Sequence, residues 1–179
     1  MPRLQLICSL LAALVLAACQ SAPAPAERDV SKKDIDAIYG TPVLDGSGSD
    51  ELWERAEWFF INQAWQGKQP DTTDFNGRFK VAWDENNIYI LAEITDDRLV
   101  DIYEETPVGY WDDDGLILFV DEDASGGNHL YSYNAFAYNI DVNGKVTDMA
   151  PDSSFRYFND QCLVLRVQKD QTSTWEIVL

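Results

Sequence analysis

One segment carries oxygen ligands at the spacing of a metal-binding loop. Asp121, Asp123 and Ser125 alternate with other residues and precede Gly126, as in the first half of a calcium loop whose glycine permits a sharp turn. The twelfth position is Ser132 instead of glutamate, so the bidentate carboxylate of such loops is missing. Two interpretations stay open: a calcium site formed by Asp121, Asp123 and Ser125, or a solvated acidic hairpin.

Catalytic residue pairs have little support in the sequence. The chain has a single histidine, His129, and no spacing indicates that it pairs with Cys162 or with a serine. Cys162 stands beside an apolar run at 163–165, which favours a buried structural thiol. Met149 and His129 could ligate a b-type haem, but single copies of these residues are a weak signal. We therefore predict a protein that is not an enzyme.

The N-terminal segment has the organisation of an export signal. Arg3 precedes an apolar stretch, residues 4–15, that is too short to span a bilayer as a helix. The stretch ends in the sequence LAAC, which resembles a bacterial lipoprotein signal whose cysteine, here Cys19, is acylated after cleavage. We expect residues 1–18 to be removed and Cys19 to anchor the chain in a membrane. Gln20 favours the outer membrane, and an ordinary signal peptide is the alternative.

Composition limits what the rest of the chain can do. Residues 19–37 are rich in Ala, Pro, Ser and charge without an apolar period, which predicts a flexible lipidated tether. The whole chain has 31 acidic and 13 basic residues and a net charge of −18. Nucleic-acid partners are excluded, because binding to a phosphate backbone requires clustered Lys and Arg. Hydrophobic residues make up 46%, which suffices for one packed domain.

The elements that must position any site are predicted to be strands. Apolar and polar residues alternate over 78–83 and again over 88–95, with the turn residues 84–87 between them, which indicates an antiparallel hairpin. Residues 116–120 form a continuous apolar run, as expected for a central strand covered on both faces. Further strands are predicted within 131–141, 163–167 and 175–179, with no long amphipathic helix. This pattern favours an all-β domain, an antiparallel β-sandwich of the immunoglobulin or jelly-roll-like kind, over 38–179.

Two tryptophans and the end of the chain complete this picture. Trp83 lies in an alternating strand and Trp53 in an amphipathic turn, so both are predicted to be in the core. Residues 173–179 stop in the middle of a strand, without a turn or cap. Because an open apolar strand leaves a core unfinished, we expect the domain to be incomplete at its C-terminus.

Several segments, in order, resemble the family 9 carbohydrate-binding modules. They are YGTPVLDG at 39–46, FKVAWDEN at 79–86, IYIL at 88–91, TDD at 95–97 and WDDDGLILFVD at 111–121. No single segment is specific, but the ordered set, which covers about residues 38–179, is fairly so. The resemblance implies a sugar-binding sandwich that leaves hydrolysis to neighbouring domains, so a glycoside hydrolase beyond residue 179 stays open.

The resemblance also implies candidate site residues. In the family a terminal sugar is held between two tryptophans, and the first falls on Trp111, whose acidic, turn-like setting predicts exposure. Asn139 matches a residue that bonds sugar hydroxyls, and Tyr110 is a further candidate. Ile117 and Ala137 stand where the family has a Glu and an Arg. The family's structural calcium would add to the interpretation of 121–125 as a metal site.

The sequence therefore predicts non-catalytic binding of an oligo- or polysaccharide by a lipid-anchored protein of the cell envelope. A role in polysaccharide capture or degradation follows from this prediction. The alternative is a sandwich whose sugar site has decayed and which binds other proteins, as Ile117 and Ala137 would suggest. A haem domain is a less favoured third interpretation.

Overall fold

The structure is a computed structural model that describes residues 35–64, 66–103, 109–124, 135–150 and 152–179. The predictions for Cys19, Ser125 and His129 lie outside these ranges, as does the side chain of Tyr110. Strands dominate the described ranges. In chain order the elements are β1 (Ile38–Tyr39), α1 (Glu51–Arg55), β2 (Phe59–Ile61), β3 (Phe75–Trp83), β4 (Ile88–Asp96), a 3-10 turn (Tyr110–Asp112), β5 (Gly115–Asp121), β6 (Ala135–Asp141), β7 (Val146–Met149), β8 (Phe155–Tyr157), β9 (Leu163–Lys169) and β10 (Thr172–Val178).

The strands form two sheets. The large sheet has the order β1-β3-β4-β10-β9, with β2 also paired to β3, and the small sheet has the order β5-β6-β7-β8. All pairs are antiparallel except the two-residue pair of β1 with β3. The predicted β-sandwich is therefore confirmed. No helix in the described ranges is both long and apolar enough to cross a bilayer.

The main core lies between the two sheets. Trp175 and Ile177 of the large sheet face Phe136, Tyr138 and Ile140 of the small sheet, and all five are buried. Cys162 is fully buried in the same cluster, and burial raises the pKa of its thiol to about 11. The prediction of a structural thiol is confirmed, because a thiol that stays protonated near neutral pH is a poor nucleophile.

A second, smaller core lies on the opposite face of the large sheet. Leu52 and Trp53 of α1 pack there on Ala82, Tyr89 and Leu91. Asp50 is the N-cap of this helix, and its side chain accepts a hydrogen bond from the backbone nitrogen of Leu52 at 2.7 Å. This segment covers a sheet face that would otherwise expose apolar residues to water.

The prediction for Trp53 is confirmed and that for Trp83 is wrong. Trp53 is 1% exposed, whereas Trp83 is 45% exposed. Trp83 is the last residue of β3, and it packs edge-on against Tyr39 with ring centroids 5.1 Å apart. Alternation along a strand shows which face a residue lies on, but not whether a second layer extends far enough to cover it.

Strand β5 is likewise less covered than the continuous apolar run predicts. Leu116, Leu118 and Val120 pack against the core, whereas Ile117 and Phe119 are exposed on the other side. Within the described ranges β5 is an edge of the small sheet. The apolar run therefore has one face that packs on the core and another whose side chains are exposed to solvent.

Candidate functional site

The outer face of the small sheet, away from the core, is organised in rows across the strands. One row joins Ile117 of β5, Asn139 of β6, Thr147 of β7 and Tyr157 of β8, each paired with the next. The two outer members are about half exposed, while Asn139 is 7% and Thr147 1% exposed. The two residues in the middle of the row are therefore buried, and the residues at its two ends are exposed to solvent.

A second row repeats this arrangement. Phe119 is paired with Ala137, and Met149 is paired with Phe155. Phe119 is 64% exposed and Ala137 is buried. We name this surface the outer trough; its floor is Ala137, Asn139 and Thr147, and its walls are Ile117 and Phe119 on β5 and Phe155 and Tyr157 on β8. The walls stand roughly 14 Å apart, three inter-strand spacings of about 4.8 Å.

Trp111 lies in the 3-10 turn that precedes β5, the strand that forms one wall of the outer trough. Its side chain is 70% exposed, which confirms the exposure predicted from its acidic setting. The turn begins at Gly109, whose φ of +70° favours glycine. A Cβ at this position would lie 2.7 Å from the ring of Tyr103, so close packing also requires glycine.

The aspartates around Trp111 hold its turn in place. The carboxylate of Asp113 accepts hydrogen bonds from the backbone nitrogens of Ile102 and Tyr103, at 2.8 and 3.0 Å. Asp114 accepts from the backbone nitrogen of Val100 at 2.6 Å and donates its own backbone nitrogen to the Val100 carbonyl. Burial raises the pKa of Asp114. These bonds brace the platform residue against the neighbouring segment.

The side chain of Asn139 does not project from the sheet into solvent. Its Nδ2 donates to the carbonyl oxygens of Ala137 and Thr147, at 3.0 and 3.3 Å, so the side chain lies flat in the floor. Among the described residues no hydrogen bond is made to its Oδ1. The Oγ1 of Thr147 is buried and also has no partner there. Because Oγ1 of Thr147 is closed off from solvent, the acceptor that the floor can present to a ligand is Oδ1 of Asn139.

The structure brings together the positions that sequence resemblance had singled out. Ile117 and Asn139 are cross-strand partners, Ala137 lies two residues from Asn139, and Trp111 precedes the same strand as Ile117. Sequence reasoning missed the wall residues Phe119, Phe155 and Tyr157 and the floor residue Thr147. The signal for Phe119 was present, since it shares the alternation of Ile117, but the position of β8 depends on pairing that no local pattern shows.

The face has no cationic group among its strand positions. Asp121 and Asp141 lie at its two ends. Arg156 is the one base in β5–β8; it is paired in register with Asp148, faces away from Tyr157 and forms an ion pair with Asp152 at 3.2 Å.

Calcium at 121–125 stays a prediction. Asp121 and Asp123 are exposed where β5 ends, and Ser125 lies outside the described residues. Over the described ranges no three His, Cys, Asp or Glu residues cluster in a way that could hold a metal ion. A melting temperature that falls when a chelator is added would support the site, because a ligand of the folded state stabilises it by mass action. The haem pair also stays a prediction, since only Met149 is described.

Residues 44–178, more than half of the chain, match the family described as carbohydrate family 9 binding domain-like. The chain belongs to this family. Carbohydrate-binding modules of family 9 are non-catalytic, so the module itself is not an enzyme.

Two solved family 9 modules share the fold of this chain. A module from Caldicellulosiruptor kristjanssonii in complex with cellotriose has a TM-score of 0.64 and 23% identity, and the match covers 81% of this chain and 66% of that one. A module from the same organism in complex with glucose has a TM-score of 0.56 and 20% identity, with 80% and 66% covered.

Curated relatives of this family 9 domain include much longer enzymes. Exoglucanase XynX of Acetivibrio thermocellus is 33% identical over 86 residues, which cover 48% of this chain and 7% of that protein. Endo-1,4-beta-xylanase A of Thermotoga neapolitana is 32% identical over 97 residues, which cover 54% and 8%. The matches span less than a tenth of these relatives.

Proposed function

We propose that the outer trough, together with Trp111, binds a carbohydrate without catalysing a reaction on it. The observation that carries this proposal is the indole of Trp111, 70% exposed on a braced turn next to the trough. Holding an exposed Trp in one place forgoes the free energy of burying it, which a ligand recovers.

The chemistry of the trough suits a pyranose ring. Such a ring has apolar C–H faces, which stack on aromatic side chains, and a rim of hydroxyls, which need donors and acceptors. Trp111 supplies the platform, while Oδ1 of Asn139 supplies a hydrogen-bond acceptor. Tyr110 stays a candidate for a further hydroxyl contact. Because relatives include xylanases and a module solved with cellotriose, xylo- and cello-oligosaccharides are the first ligands to test.

The test is calorimetric titration of the chain from Cys19 onward, with Cys19→Ser to prevent acylation. We expect cello- or xylo-oligosaccharide binding that Trp111→Ala abolishes. Trp83→Ala is the matched control, because it removes another exposed indole, at the end of β3 in the large sheet. Binding that survives Trp111→Ala, or is lost equally in Trp83→Ala, would refute the assignment of the site.

A specific observation favours one competing function. Ile117 and Ala137 replace two charged residues that the family uses for sugar hydroxyls, and Ile117 is 47% exposed. An apolar face of this kind is also typical of protein–protein contacts. Absence of heat with any oligosaccharide, together with a partner captured through Ile117, would favour this decayed-site function.

The proposed setting is the cell envelope. Acylation of Cys19, followed by the tether at 20–37, would hold the module away from an outer-membrane surface, where it could capture polysaccharide for degradation. The lipobox-like sequence LAAC supports this setting.

A further inference from the structure

The segment at 99–103 lies against the turn that carries Trp111. The backbone nitrogens of Ile102 and Tyr103 donate to the carboxylate of Asp113, at 2.8 and 3.0 Å. Asp113 follows the 3-10 turn directly, so these two bonds join the segment to the turn. The side chains of both segments are therefore neighbours at the surface.

The ring of Tyr103 has a defined position relative to Trp111. Its atoms Cε2, Cζ and Cδ2 lie 2.7, 2.7 and 2.9 Å from the point where a Cβ on Gly109 would be, so the ring rests on this glycine. Gly109 begins the 3-10 turn, two residues before Trp111. Since consecutive Cα atoms are about 3.8 Å apart, the Cα atoms of Gly109 and Trp111 lie within about 7.6 Å of each other. Both aromatic residues therefore belong to one turn.

We propose that Tyr103 is a second aromatic contact of the sugar site and packs on the same ligand as Trp111. This inference rests on the proposed function and adds a ligand-contacting residue to its site.

Exposure carries the first step. Trp111 is 70% and Tyr103 40% exposed, and Ile102, beside Tyr103, is 68% exposed. Single exposed apolar side chains are common, but these three lie on two segments that hydrogen bonds join. Such a patch offers aromatic faces to the C–H face of a pyranose ring.

Preorganisation carries the second step. The backbone of Tyr103 is bonded to Asp113, and its ring is seated on Gly109, where a larger residue would collide with it. A ring that is already held in place loses little conformational entropy when a ligand packs on it. Most of the free energy of the contact is then available for binding.

A polar group beside the rings carries the third step. The carboxylates of Asp113 and Asp114 accept from backbone nitrogens of the neighbouring segment, whereas Asp112, directly after Trp111, is exposed. A carboxylate is a strong acceptor for the hydroxyls of a sugar. A purely apolar partner surface would instead desolvate this charge without a compensating bond, so the patch suits a sugar better.

The first experiment titrates the chain from Cys19 onward, with Cys19→Ser, against cello- and xylo-oligosaccharides. We expect Tyr103→Leu, which keeps an apolar side chain but loses the ring, to weaken binding about fivefold to tenfold, and Tyr103→Phe to bind within about twofold of the parent. Tyr39→Leu is the control and should have no effect, because it removes another exposed tyrosine, in β1 of the large sheet.

The second experiment separates contact with the ligand from support of the turn. In protein that carries carbon-13 in its tyrosine rings, isotope-filtered NOE spectra should show cross-peaks from sugar protons to a ring whose signal Tyr103→Phe removes. Melting temperatures are the folding control. If Tyr103→Leu melts many degrees below the parent, the cross-peaks decide the question.

The outcomes separate the two proposals. Parent-like binding by Tyr103→Leu, or no such cross-peaks in a sample that binds sugar through Trp111, would overturn the role of Tyr103 and leave the proposed function standing. Equal weakening by Tyr103→Leu and Tyr103→Phe would also contradict a stacking contact. No binding of any of these oligosaccharides would overturn both proposals.

Discussion

At the scale of single residues, a buried acid on one face of the large sheet holds the segment before α1 in place. Glu176 is 1% exposed; its Oε2 accepts from the backbone nitrogens of Asp45 and Gly46, and its Oε1 accepts from Nε1 of Trp53 at 3.2 Å. Three donors surround the carboxylate, so its burial is compensated by hydrogen bonds. The segment before α1 is thereby tied to β10.

We expect Glu176→Ala to lower the free energy of unfolding by about 2–4 kcal/mol, because it leaves buried donors unpaired. Glu93→Ala is the control on the same sheet face; Glu93 pairs with Arg78 and is only half buried, so its loss should cost about 0–1 kcal/mol. Urea unfolding of both variants measures the difference. Equal losses would show that Glu176 is not a special anchor.

Tryptophans show how far single residues can be assigned from sequence. The acidic turn around Trp111 was enough to predict its exposure, because three aspartates follow it directly and such a segment is a poor place for a core residue. Trp83 has the alternation of a core residue, yet it lies where the covering layer ends. The exposure of Trp111 follows from its neighbours in sequence, whereas the exposure of Trp83 depends on how far the second layer extends in the tertiary structure.

At the scale of elements, the β3–β4 hairpin depends on Asp84. Its Oδ1 accepts from the backbone nitrogens of Asn86 and Asn87, both at 2.9 Å, and its Oδ2 accepts from the hydroxyls of Thr41 and Tyr89, both at 2.6 Å. The bonds from Thr41 and Tyr89, followed by those from the turn, lower the pKa of this carboxyl. One side chain thus closes the turn and attaches the segment after β1.

This arrangement predicts a dependence of stability on pH. Since the pKa of Asp84 in the folded state lies below its ordinary value of 3.8, the ionised carboxylate stabilises the fold above about pH 4, and the contribution is lost as the pH falls. Urea unfolding at several pH values should show Asp84→Asn less stable than the parent at pH 7, with the gap narrowing below pH 4. Thr41→Val should show the same trend more weakly. A gap that stays constant with pH would contradict the assignment.

The strands of the hairpin were predictable and their neighbours were not. Alternation over 78–95 fixed two strands and a four-residue turn, since a period of two is a local property. The pairing of β4 with β10, about eighty residues later, has no such signal. The prediction that β5 is covered on both faces was wrong for the same reason. Whether an apolar side chain is covered depends on elements that are distant in sequence.

At the scale of the whole molecule, the two cores separate stability from binding. Among the described residues, the two hydrophobic clusters lie on the two faces of the large sheet, and the small sheet contributes its inner face to one of them. Its outer face carries the trough, so substitutions in the walls are expected to change ligand affinity with little effect on the fold. This separation makes the proposed test of Trp111 interpretable.

Anchoring is a property of the whole chain and is tested in cells. We expect the protein to fractionate with outer membranes and the Cys19→Ala variant not to be acylated, because only a cysteine can be lipidated at the end of an LAAC sequence. Metabolic labelling with a fatty-acid analogue measures the modification. The control is Cys162→Ala, which removes a buried thiol and should leave labelling unchanged. Labelling that persists without Cys19 would refute the anchor.

The sequence by itself determined the strand content, the hairpin within 78–95 and the exposure of Trp111, because periodicity, turn chemistry and local charge are properties of short segments. Only the tertiary structure decided that Ile117, Asn139, Thr147 and Tyr157 form one row. It also decided that Trp83 is exposed and that Glu176 is an anchor. The physical reason is that burial and cross-strand register arise from contacts between residues far apart in the chain, and no window of sequence contains both partners.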